Sequence, residues 1–108
     1  MTKPDKTKIS ECFKVIENKG LGYVLTANSK KKMPIGLRGL PDHLIITTRY
    51  IVWVEVKLGS DTFSQRQLDI QKGLGHHSSL PNSRMYYYTV SSLKQAQDLT
   101  DKILSGGL

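Results

Sequence analysis

The stretch that leaves this chain the least freedom is Tyr50-Ile51-Val52-Trp53-Val54-Glu55-Val56-Lys57. It is β-branched and aromatic until its last positions, which suits a buried strand better than a helix. Side chains alternate along a strand, so Glu55 and Lys57 share one face while Val52, Val54 and Val56 take the other. An acid and a base therefore stand side by side at the end of an apolar element. Upstream, Leu44-Ile45-Ile46 reads as a partner strand, and Thr47-Thr48-Arg49 is short enough to turn the chain back antiparallel. The hairpin returns Glu55 and Lys57 towards Asp42, which Gly39 and Pro41 present at a sharp turn.

Two carboxylates a few ångströms apart repel each other, and one neighbouring cation offsets only part of that cost. A hard divalent cation, magnesium above all, is the natural third partner. A lysine beside it can hold an attacking water or neutralise charge building up on a phosphate. These are the parts of a phosphodiesterase.

Gly39-Leu40-Pro41-Asp42, Glu55-Val56-Lys57 and Ser64-Gln65-Arg66-Gln67 follow one another in an order and spacing that resembles the VRR-NUC domain of the PD-(D/E)XK nuclease superfamily. The resemblance spans about residues 9 to 95. It implies a restriction-endonuclease-like α/β core in the order α-β-β-β-α-β-α, with a central mixed sheet flanked by helices. It also implies magnesium, with manganese able to substitute, held by Asp42, Glu55, the Val56 backbone carbonyl and a glutamate of the first helix, for which Glu11 is the positional match. Glu17 is the weaker substitute. At 100° per residue Glu11 lies away from the apolar stripe, so it reaches a metal only if its helix crosses the sheet near an edge. By the same resemblance Gln67 joins Asp42, Glu55 and Lys57 as a catalytic position; its amide can both donate and accept hydrogen bonds. The family carries a lysine within the first strand where this chain has Val24 or Leu25, and Arg38 can supply the missing charge.

The remaining sequence fits one domain over residues 1–108, large enough for a single modest core. No apolar run approaches the ~18 residues of a membrane span, and Met1 to Lys6 lacks a signal peptide's hydrophobic region, so a cytoplasmic protein is expected. The lone Cys12 excludes an internal disulfide and a cysteine zinc cluster. Sixteen Lys and Arg against nine Asp and Glu give a net charge of +7, which favours a polyanionic partner such as DNA.

Ile9, Cys12, Phe13 and Ile16 recur at the spacing of one helix face, predicting a helix over 7–19 capped by Thr7 or Asp5 and ended by Gly20. A first strand is expected over 21–28. The segment after it carries Lys30, Lys31 and Lys32, read either as a solubilising run or as a phosphate-contacting loop at the mouth of the site. Replacing all three with glutamine should weaken binding to every DNA shape alike and flatten its salt dependence, since phosphate contacts release counterions without reading sequence. An unchanged salt slope would mark the run as a solvated loop only. His43 should face away from Asp42. Ser64 should cap a second helix that Gly73 and Gly75 break, leaving His76 to Ser83 as a loop. Arg84 to Val90 reads as a fourth strand, and Leu93, Ala96, Leu99, Ile103 and Leu104 form the apolar side of a last helix capped by Ser91-Ser92.

The expectation is thus a magnesium-dependent, structure-selective endodeoxyribonuclease. Free-standing domains of this family resemble Holliday-junction resolvases, which implies branched DNA and a homodimer, since a junction needs two symmetry-related cuts. Tyr86 to Tyr88, the segment from His76 to Ser83 and the apolar side of the last helix are the available interface material. The alternatives are an inactive nucleic-acid-binding module with the same fold, and a flap-cutting or restriction-like nuclease.

Overall fold

The computed structural model describes residues 5–26, 40–59 and 62–108. Its elements are α1 (Asp5–Asn18), β1 (Gly22–Thr26), β2 (His43–Thr47), β3 (Ile51–Val56), α2 (Gln65–Ser79), β4 (Met85–Val90) and α3 (Leu93–Ser105). This is the expected order. The sheet runs β1-β2-β3-β4, antiparallel across β1–β2 and β2–β3 and parallel across β3–β4. A parallel pair needs a crossover, and α2 supplies it.

The alternation read from the sequence divides the sheet into two unlike faces. Val24, Ile45, Val52, Val54, Val56 and Val90 lie on one, buried against Ile9, Phe13 and Ile16 of α1 and Ala96, Leu99 and Ile103 of α3. That is the core. The other face carries Tyr23, Leu25, Leu44, Ile46, Ile51, Trp53, Glu55 and Tyr87 by register, and α2 packs over its β4 side. The β2–β3 turn is held by Thr47, whose Oγ1 accepts from the Arg49 and Tyr50 amides at 3.2 and 2.9 Å.

Several boundaries differ from the expected ones. Helix α1 begins at Asp5, so Thr7 lies inside it rather than capping it. It ends at Asn18, and Gly20 just beyond has a φ of 70°, the left-handed geometry glycine tolerates best. Strand β1 stops at Thr26. The largest correction is α2, which runs through Gly73 and Gly75 to Ser79 and takes His76 to Ser79 out of the expected loop. Each helical glycine costs only about 1 kcal/mol relative to alanine, and packing on β4 carries the helix past both. A Cβ at either glycine would meet nothing within 4 Å. Gly73→Ala and Gly75→Ala should therefore each stabilise the protein by roughly 0.5–1 kcal/mol, read as a rise of a few degrees in thermal melting. A fall would mean that the backbone there is not helical in solution.

Helix α3 is capped as expected, with the Gln95 amide donating to Ser92 Oγ at 3.2 Å and Gly106 closing its end. Cys12 is a part-buried helix residue 3.4 Å from Thr100 Oγ1. No described helix is long and apolar enough to cross a membrane.

Candidate active site

The site forms where the second sheet face meets the start of α2. Asp42 enters β2 directly opposite the end of β3, and its Oδ2 accepts the Val56 amide at 2.9 Å. The N–H and C=O of a strand residue point to the same side, so the Val56 carbonyl is turned towards Asp42 as well. Glu55 is 2% exposed and is hydrogen-bonded to Asp42. Its pKa is pushed up to about 8, first by burial, then by the charge of Asp42 and that hydrogen bond, with Lys57 and Lys6 opposing. At neutral pH Glu55 holds its proton.

Helix α2 brings the remaining groups. The Gln67 amide donates to Ser64 Oγ at 3.2 Å, and Gln67 Oε1 accepts from the Ser64 amide at 2.9 Å, a reciprocal capping box. The same side chain reaches the acids: Gln67 Nε2 donates to Glu55 Oε1 at 3.3 Å while Oε1 accepts from Lys57 Nζ at 3.1 Å. Lys57 also donates to the Thr62 carbonyl at 2.8 Å and lies 4.8 Å over the Phe63 ring. An ammonium has three donors. Among the described residues two of them are engaged.

Asp42, Glu55, Lys57 and Gln67 are thus brought together as expected. Glu11 is exposed on α1, and the α1 charge that acts on Glu55 is Lys6, so the structure does not bring Glu11 to the pair. Glu17 is engaged elsewhere, its Oε1 accepting the Val24 amide at 2.7 Å. Lys30, Lys31, Lys32 and Arg38 lie outside the described residues. His43 faces the core, as the alternation requires. It is 4% exposed, with Nδ1 3.0 Å from Thr26 Oγ1 and its ring edge-on to Phe13, and burial lowers its pKa.

One neighbour escaped the sequence reading. Tyr87 stands opposite Trp53 on the site face, and its pKa is raised by burial and by the charges of Glu55 and Asp42. Its flanking residues Tyr86 and Tyr88 turn to the core side and stack on each other at 6.3 Å. Strand alternation alone separates the middle tyrosine from the other two, but the sequence does not say which side holds the acids until β4 is registered against β3.

Among the described residues no group of three or more His, Cys, Asp or Glu side chains converges. The described residues therefore offer two carboxylates and a backbone carbonyl. That set fits magnesium, which commonly takes one or two protein carboxylates and completes its octahedron with water and substrate phosphate. No protein-family profile matches the sequence, and no curated protein matches it significantly.

Proposed function

We propose that this chain is a magnesium-dependent DNA endonuclease that acts as a homodimer on branched DNA, a Holliday-junction resolvase. The observation that carries this reading is the convergence of four side chains: Gln67 bonds to Lys57 and Glu55 at 3.1 and 3.3 Å, and Glu55 is hydrogen-bonded to Asp42. A purely structural ion pair needs neither a buried glutamate holding its proton nor an amide that bridges the acid to the ammonium. The net charge of +7 supports a polyanionic substrate.

In this reading Asp42 and Glu55 hold the cation, which when bound would polarise the scissile phosphate and lower the pKa of its water. Lys57 offers its ammonium to the phosphate as negative charge develops on it. Gln67, tied at once to Ser64, Glu55 and Lys57, keeps the acid and the ammonium in fixed register. It is a positioning residue.

The absence of Glu11 from the pair favours one second reading, a module that binds DNA without cutting it. Labelled four-way junction, flap and linear duplex incubated with magnesium, with manganese and with chelator separate the two. Paired cuts in the junction that need the metal support the resolvase. Binding of every substrate with cleavage of none would leave the binding module.

A further inference from the structure

We propose that the half of the second sheet face not covered by α2, made by Tyr23 and Leu25 of β1, Leu44 and Ile46 of β2 and Ile51 of β3, docks a second copy of this chain. This deepens the homodimer half of the reading above, and its test uses neither DNA nor metal, so the two can fail separately. The register places Tyr23 beside Ile46 and Ile46 beside Ile51 in one row, with Leu25 beside Leu44 in the next. Tyr23, Leu25 and Ile51 are 69, 55 and 39% exposed, and Leu44 and Ile46 are half-buried. Among the described residues, α1 and α3 pack on the opposite face and α2 on β4. The five residues make a patch on the order of 400 Å², large enough on a small protein to mark an association site.

The chemistry selects the occupant. The five side chains carry no charge in a chain with sixteen cationic residues, so among the described residues the patch offers neither DNA nor an acidic protein anything to pair with. A groove of about 570 Å³ adjoins it, lined by Glu17, Leu21, Gly22, Tyr23, Ile46 and Thr47. Tyr23 is thus an exposed aromatic knob next to a groove of which it forms one wall. Under a two-fold axis between them, each copy's Tyr23 enters the other's groove, where the phenol can donate a hydrogen bond to the second carboxylate oxygen of Glu17. Self-complementarity of this kind is what an isologous pair requires. Joining through strand edges is discouraged, because Glu17 already occupies the Val24 amide on the open side of β1.

The arrangement also places the sites usefully. Glu55 lies four residues along β3 from Ile51, roughly 13 Å at the rise of a strand. An axis near the Tyr23–Ile46–Ile51 row therefore sets the two Asp42–Glu55 pairs roughly 25 Å apart, one at each end of the pair. The interfaces considered from sequence fit less well. Tyr86 and Tyr88 face the core, the apolar side of α3 is buried in it, and α2 takes up His76 to Ser79.

Sedimentation equilibrium on the full chain, in chelator and without DNA, should give twice the 12.1 kDa chain mass at micromolar concentration. Tyr23→Asp and Ile51→Lys, made separately, should each weaken association on the order of 100-fold, the first by setting a carboxylate against Glu17 of the other copy and the second by burying an unpaired ammonium, each twice per dimer. Their circular dichroism should match the wild type. The emission of Trp53, the sole tryptophan, should follow the same dilution curve. A wild type monomeric up to its solubility limit overturns the proposal, as does a dimer indifferent to both substitutions. A monomer whose melting temperature falls with either substitution also overturns it, because the face is then covered within one chain.

Discussion

Lys57→Ala should lower metal-dependent junction cleavage by ~10³-fold, the usual cost of removing a preorganised donor from a developing oxyanion, while DNA affinity changes less than about twofold. One charge among sixteen is a small share of the counterion release that drives binding. It is a large share of the field at one phosphate. The substitution also removes the bonds to the Thr62 carbonyl and Gln67 Oε1, so some loss of melting temperature is expected. Lys57→Met, which keeps the stem over Phe63 and lacks the charge, separates the effects: stability should largely return and cleavage should not. If Lys57→Met cleaves at the wild-type rate, Lys57 is a clamp between β3 and α2, and the active-site assignment fails.

Glu55→Gln should abolish magnesium binding and at the same time make the metal-free protein more stable at alkaline pH. The sign follows from the direction of the shift. Folding raises the pKa of Glu55 from 4.5 to about 8, so the folded state holds a proton that the unfolded chain releases earlier. Below about pH 4.5 the proton is bound in both states and costs nothing. Between there and about pH 8 the metal-free protein loses stability at up to about 1.4 kcal/mol per pH unit, with an upper bound of roughly 5 kcal/mol. Glutamine carries no such charge, so its melting curve should lose this slope. Magnesium should flatten the wild-type slope by binding the ionised form, and it should leave the variant unmoved. Parallel pH dependences in the two proteins would mean that Glu55 ionises normally. Unchanged magnesium affinity in the variant, measured by calorimetry, would remove Glu55 as a ligand. Asp42→Asn should likewise lose magnesium, and Glu55 should then ionise closer to its ordinary pH, because the second carboxylate no longer opposes it.

The readable parts of the site were those in which one local rule carries the geometry. Alternation along Val52 to Lys57 put Glu55 and Lys57 on one face, and the short turn after Thr47 brought them back to Asp42. The sharing of Gln67 between a helix cap and the acid pair was half legible: Ser64 and Gln67 stand three apart, the spacing of a capping box. The same spacing says nothing of where the amide's other end goes. Glu11 shows the opposite case, since a position matched along a helix does not fix which side of that helix meets the sheet.

The sequence by itself determined the element order, the two faces of the central strands and the identity of the acid–lysine cluster, because periods of 2 and 3.6 residues and a tight turn are short-range properties of the chain. Only the tertiary structure decided four further points. Helix α2 survives Gly73 and Gly75 because β4 packs against it. The α1 charge that acts on Glu55 is that of Lys6, which helix periodicity alone does not indicate. Tyr87 joins them because β4 pairs in parallel with β3. Glu55 keeps its proton because burial and Asp42 act on it together, and both depend on residues far apart in the chain coming within a few ångströms of each other.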